Sequence, residues 1–389
     1  MPRMSAIVSL VRQDDYDLES VSAAYAEACE LTGFPELRGK TVLFKPNILL
    51  GAAPEAAATT HPAVLRAAIR HARTKGAARV LVGESPGFQV GDQAFRASGL
   101  LAAAEAEGAE WVDFMDAAKL EAPRGKALKS FQVARAALEA DVLVSLAKLK
   151  NHTLMGYTGA LKNLFGCVPG LQKPGFHLRF PDAQAFALML NDLAQALAPE
   201  FSIIDGIVGM EGPGPGSGYP RKVGVLIASR DPLAADRTAC RVVGIDPDSI
   251  PNLKDGLERR TWISSDAEIE LRGAPLSELR IHDWKHAPRR AKSSLPPFLK
   301  DLAVPRPWFD RARCVACGAC VEICPADALG LVDDAKGAEG RSVRVDHDAC
   351  IRCYCCHEVC PADAITVRRL RPRGASRSVK GAGKGGARR

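Results

Sequence analysis

Nine of the twelve cysteines in this 389-residue chain fall in two short runs. "CVACGACVEICPADA" places Cys314, Cys317, Cys320 and Cys324 in the spacing C-x2-C-x2-C-x3-C-P, and residues 350–364 repeat it with Cys350, Cys353, Cys356 and Cys360. Three thiolates spaced three residues apart wrap one iron–sulfide cube, while the cysteine before proline is carried by the turn to the other cube. The spacing therefore predicts two 4Fe–4S clusters with crossed ligation. One takes Cys314, Cys317, Cys320 and Cys360; the other takes Cys350, Cys353, Cys356 and Cys324. Structural zinc sites usually use separated C-x2-C pairs and stop at four ligands, so the doubled run points away from zinc.

In this register Cys355 falls opposite Ala319 and is surplus to both sets. It is expected to be a packed or partly exposed free thiol beside the cluster, with a ligand or redox role as the lesser reading. Residues 313–367, with both motifs complete, resemble the bacterial two-cluster ferredoxins. "MPRMSAIVSLVRQDD" does not read as a secretory signal, since Arg12 cuts its short apolar run, and no segment reaches the roughly 18 apolar residues of a membrane span. A soluble, cytoplasmic protein with reduced thiols is expected, not a disulfide framework.

A cysteine module of this size leaves about 285 residues ahead of it, enough for a substantial core of its own. The reading is a domain over residues 1–285, a proline-rich linker over 286–312, the ferredoxin-like module over 313–367 and a basic tail over 368–389. The net charge of +7 is concentrated in that tail, which holds nine Lys/Arg and no acid, so the remainder is close to neutral. A Gly- and Arg-rich end without aromatics is expected to be a solvated, disordered segment, with weak contact to nucleic acid, anionic lipid or an acidic redox partner as the lesser reading.

From residue 5 to about 250, apolar runs alternate with helical patterns: "AIVSLV", "TVLF", "RVLV", "EWVDF", "DVLVSLA", "FSIIDGIV" and "KVGVLIA". This alternation predicts an α/β fold with a parallel or mixed sheet and flanking helices, followed by the small α+β cysteine module. "HPAVLRAAIRHARTKG" shows the helical logic, with Pro62 in the first turn, Val64, Leu65, Ala68, Ile69 and Ala72 on one face, and Gly76 as the stop.

The strand exits are polar: Lys45 and Asn47 after the second run, Glu84 after the third, Lys148, Lys150 and His152 in the fifth, Glu211 after the sixth. Ligands of open α/β sheets bind beyond the carboxyl ends of the strands, so these residues are expected to converge on one crevice. Lys148, Lys150 and His152 alternate along the strand, and Lys162 and Asn163 come later, in "GALKNLFG". Such groups can hold an anion or polarise a carbonyl; Lys150, His152 and Lys162 are the expected catalytic groups, and Lys45, Asn47, Glu84, Lys148, Asn163 and Glu211 the expected substrate ligands.

Cys167 is expected in packing, though a nucleophile or further ligand is the alternative; Cys29 and Cys240 read as core. "MEGPGPGSGYPRK" fits neither phosphate-loop pattern, and its prolines remove amide donors, so a loop closing the crevice is the better reading. Asp231 reads as a helix N-cap, whereas Asp236 has no evident local task.

"KPNIL", "GES", "KLKNHTLMGYTGALKNLFG", "DGIVGMEGPGPGSG" and "ASRDPLAAD" together resemble the domain-of-unknown-function family numbered 362, over roughly residues 5 to 250. That resemblance implies an iron–sulfur protein, and the family often carries a two-cluster ferredoxin module. Electron transfer between the clusters and an anionic substrate or cofactor in the large domain is the expected function. The alternative is a non-catalytic electron-transfer or cluster-delivery module docking a partner enzyme. A non-redox ligase or kinase is disfavoured by the missing phosphate loop.

Overall fold

The computed structural model describes residues 5–86, 93–287, 306–335 and 337–368. Its large sheet contains β1 (Ala6–Arg12), β2 (Thr41–Pro46), β3 (Arg79–Glu84), β4 (Glu110–Asp113), β7 (Val142–His152), β8 (Gly156–Thr158), β9 (Phe201–Glu211), β10 (Tyr219–Ser229) and β11 (Ile269–Gly273). A separate hairpin joins β5 (Ala117–Glu121) to β6 (Ser130–Ala134).

Across the sheet the order is β11-β1-β10-β9-β7-β2-β3-β4, with β8 folded back on β7. Pairing is parallel from β9 through β7, β2 and β3 to β4, while β10 is antiparallel to both β9 and β1. The sheet is therefore mostly parallel. Strand alternation builds two cores: Val42, Phe44, Val142 and Val144 pack on one face, and Leu43, Leu143, Ala147 and Leu149 on the other. Helices Leu18–Thr32 and Pro62–Thr74 cover the first face, and Ala183–Leu197 and Pro232–Val242 the second. Val64, Leu65, Ala68, Ile69 and Ala72 are buried as the helical pattern predicts, and Gly76 leaves the helix at φ +79°.

Chain order places β3 and β4 to one side of β2 and β7 and β9 to the other. The carboxyl ends of β2 and β7 thus flank the point where the connections reverse, which is where parallel sheets open a crevice.

The cysteine module is small. β12 (Arg306–Phe309) pairs with β15 (Ile365–Arg368), and β13 (Leu329–Asp333) with β14 (Arg341–Val345), both antiparallel. β12 falls inside the stretch expected as linker, so residues 306–309 belong to the module's sheet; residues 288–305 of that stretch and the tail from 369 lie outside the described residues. The two cysteine runs trace one backbone path twice. Left-handed residues recur at Ala316 and Arg352, Gly318 and Tyr354, and Asp327 and Asp363. The amides of Ala328 and Ala364 donate to the Sγ of Cys324 and Cys360 at 3.3 and 3.2 Å.

Candidate functional site

A cavity of about 90 Å3 opens where β2, β3 and β7 end. It brings together Lys45, Asn47, Glu84, Lys150, Lys162 and Asn163 from the residues expected there. Their arrangement can be built outward from the backbone. Asn163 Nδ2 donates to Lys45 O and Ser145 Oγ, each at 3.0 Å, which turns its Oδ1 toward Lys45 Nζ at 2.9 Å and Asn47 Nδ2 at 3.2 Å. Lys45 Nζ also donates to Pro46 O and to Glu84 Oε1, both at 2.8 Å. The Lys45–Glu84 pair is fully enclosed, at 0% and 2% side-chain exposure. Lys150 Nζ donates to Ala58 O at 2.6 Å.

Asp236, whose task was not legible locally, positions this wall. Its carboxylate accepts from the amides of Ala160 and Leu161 at 2.7 and 3.0 Å and from Tyr157 OH at 3.3 Å, capping the short helix Ala160–Asn163 that carries Lys162 and Asn163. Burial raises the Asp236 carboxyl to about 7.

Sequence reasoning missed Lys173. This half-buried lysine lines the cavity, donates to Ser85 O, and sits with Nζ 5.8 Å from the Phe165 ring centre. Burial pushes its ammonium down to about 8, with Lys45 adding to the effect and Glu84 opposing it. Lys45, Lys150, Lys162 and Lys173 face a single carboxylate, Glu84, among the described lining residues, so the polar end of the cavity favours an anion.

Three expected site residues lie off that wall. Lys148 Nζ instead pairs with Asp205 Oδ2 at 2.8 Å and bonds Tyr16 OH at 2.9 Å, beneath His61 stacked on Tyr16. The register between β7 and β9 breaks just after Lys148–Asp205, so Lys148 and Lys150 do not share one setting. His152 Nδ1 accepts from the amides of Leu154 and Met155, and burial, reinforced by nearby Lys162, holds the ring well below its ordinary pKa. Its neutral imidazole is therefore a poor proton donor. Glu211 accepts from the Lys285 amide at 3.0 Å, and Trp284 Nε1 donates to Asn151 Oδ1 at 2.9 Å, so both fasten the end of the large domain beside the sheet. Pro215 reaches the cavity from the glycine-rich loop, whose Gly214 carbonyl accepts from Thr153 N and Oγ1. Cys167, Cys29 and Cys240 are buried, and burial raises the Cys167 thiol to about 12, consistent with packing.

The remaining wall comes from the cysteine module. Ile323, Cys355 and Val359 line the same cavity as the lysines. Cys355 is 6% exposed and packs with Ala319, Ile323 and Val359, so the surplus thiol sits between Cys353 and Cys356 with the cavity against it. Within the module, a second, smaller cavity is lined by Cys314, Cys317, Cys320 and Cys360. Cys350, Cys353, Cys356 and Cys324 also approach one another closely enough to raise the thiol pKa values of Cys350 and Cys356, beyond the larger effect of burial. Thiols grouped around a small, mostly apolar space, with amide-to-sulfur hydrogen bonds beside them, fit a sulfur-ligated cluster.

The fold and the paired cysteine runs define an α/β domain fused to a ferredoxin-type iron–sulfur module. Residues 313–364 match a 4Fe-4S dicluster domain. Residues 42–241, just over half the chain, match the domain of unknown function DUF362, and the chain belongs to that family. A thylakoid-associated protein of Synechocystis sp. is 34% identical over 282 residues, covering 72% of this chain and 87% of the relative. Among solved structures, a Thermotoga maritima protein aligns with TM-score 0.40 and 14% identity over 59% of each chain. The lactate racemase apoprotein from Thermoanaerobacterium thermosaccharolyticum aligns with TM-score 0.40 and 16% identity, over 62% of this chain and 58% of that one. The chain thus covers less than two thirds of either solved structure. Among the described residues no helix is long and apolar enough to cross a membrane.

Proposed function

We propose that this is a cytoplasmic iron–sulfur oxidoreductase in which two 4Fe–4S clusters exchange electrons with a small organic anion held at the strand ends. The observation that carries the reading is the shared cavity: Cys355 and Val359, from the second cysteine run, wall the space that also contains Lys45, Glu84 and Lys150. Residues 1–285 supply the ligand site, 286–312 the linker, within which β12 pairs with the module, 313–367 the carrier, and 368–389 a basic tail. The cluster ligands are the crossed sets, Cys314, Cys317, Cys320 and Cys360 for one cube and Cys350, Cys353, Cys356 and Cys324 for the other. When bound, the clusters supply one-electron chemistry.

The chain's own residues do the rest. Lys150, Lys162 and Lys173 hold the anion; Lys45, fixed by Glu84 and Asn163, keeps the polar floor in place; Ile323, Val359 and Phe165 exclude water from the apolar side. Lys162 and Lys173 are the proton donors, while neutral His152 supports the β7 turn. A redox partner protein meets the first cysteine run, where Cys317 is exposed and Val315 and Trp308 present apolar surface. The test is electron paramagnetic resonance of anaerobically purified, dithionite-reduced protein titrated with small carboxylates. Perturbation of one cluster's signal, with the other unchanged, is expected. If no carboxylate binds and neither signal moves, the reading is wrong.

A further inference from the structure

Resting on that anion site, we infer that its ligand also donates hydrogen bonds, which makes it an organic anion that bears a hydroxyl or amine as well as its charged group. Two acceptor atoms in the cavity carry the inference. Glu84 Oε2 and Asn47 Oδ1 are buried and have no hydrogen-bond partner among the described residues, although both residues line the cavity. Glu84 is 4% exposed, its Oε1 is committed to Lys45 Nζ at 2.8 Å, and only Oε2 remains for a ligand.

The identity of the Asn47 atom comes from the network behind it. Lys45 O can only accept, so the Asn163 atom 3.0 Å from it is Nδ2, and Asn163 Oδ1 must face Asn47. Asn47 therefore turns Nδ2 toward Asn163 and leaves its oxygen as the unpartnered atom; reversing it would set two carbonyl oxygens together 3.2 Å apart. The site thus presents two acceptors beside the lysines. A buried acceptor left unmet costs more than a met one contributes, so a ligand without donors is penalised at this position. Four lysines on the same cavity demand negative charge elsewhere on the ligand. A simple fatty acid meets only the second requirement, and a polyol only the first.

The test is calorimetric titration of the full chain, anaerobically purified, with matched pairs: acetate against glycolate, propionate against lactate and alanine, succinate against malate and aspartate. The hydroxy or amino member is expected to bind about ten- to a hundredfold more tightly than its unsubstituted partner, the worth of one hydrogen bond to a charged acceptor. The pairs also decide between alcohol and amine as donor. Asn47→Leu, which keeps every lysine, should shrink that ratio. Glu84→Gln, whose amide nitrogen replaces an acceptor by a donor, should likewise shrink it. Equal binding within each pair would overturn the inference and leave the anion site standing. Failure of every carboxylate to bind would overturn both.

Discussion

A Cβ atom on Gly166 would lie 2.0 Å from Glu84 Oε1 and 2.2 Å from Lys45 Nζ, so the backbone at residue 166 closes directly over that ion pair. Gly166→Ala must push the pair apart or displace the turn after Asn163. Carboxylate binding measured by calorimetry should fall at least tenfold, because the polar floor is disturbed, while iron content stays at the wild-type level. Unchanged binding would show that the floor yields freely.

The same pair governs stability. Lys45→Met strands the Glu84 carboxylate in a 2%-exposed position, and losing one partner of a buried pair costs about 3–5 kcal/mol. Urea denaturation should show that loss for the large domain. Adding Glu84→Leu should restore much of it, because an apolar pair replaces a stranded charge; a double variant no better than the single would point to lost shape and not to charge.

Lys173 sets a pH dependence. Its ammonium is displaced downward to about 8, so it is charged below that pH and neutral above it. An anion prefers the charged form, so affinity should be full below about pH 8 and decline as pH rises past it, with a bound anion moving the midpoint upward. For folding the sign is opposite: between about 8 and the ordinary lysine value the unfolded chain binds the extra proton, and stability rises with pH in that window. Lys173→Arg keeps its charge and should flatten the binding profile. A profile identical in wild type and variant would assign the decline to another group.

Iron and acid-labile sulfide analysis separates the adjacent thiols. Eight of each per chain are expected from two four-iron clusters. Cys355→Ala should retain all eight, whereas Cys356→Ala should lose or convert one cluster, since Cys356 and not Cys355 is in register with Cys320. Equal losses would mean that the alignment of the runs misassigns the ligand.

Much of the scaffold was legible because burial writes itself into period. All seven apolar runs are strands of the large sheet, and they carry the core of both faces. β11 was not legible: its "IELRG" is an edge strand with exposed charges, and β8 is only three residues long. The site was half legible. Strand ends locate Lys45, Glu84 and Lys150 through topology, but Lys148 has a partner, Asp205, that lies 57 residues away and draws it out of the cavity wall. Lys173 stands in a segment of short helical turns without a sheet period, and Asp236 acts on amides 75 and 76 residues away. The position of Cys355 depends on a contact between two modules, which no local pattern encodes.

The two cysteine runs trace the same backbone path, yet they have diverged unequally. Where the first run has Gly318, Ala319 and Val321, the second has Tyr354, Cys355 and His357, all three buried. Tyr354 occupies a left-handed conformation at φ +66°, which glycine adopts freely and an aromatic residue does not, so the second half retains a backbone cost of roughly 1 kcal/mol that the first avoids. His357 lies near enough to His152 to help lower its basicity, and Cys355 walls the cavity. The second half of the repeated module thus lies against the large domain through Cys355 and Val359, whereas the first half leaves Val315 and Cys317 exposed.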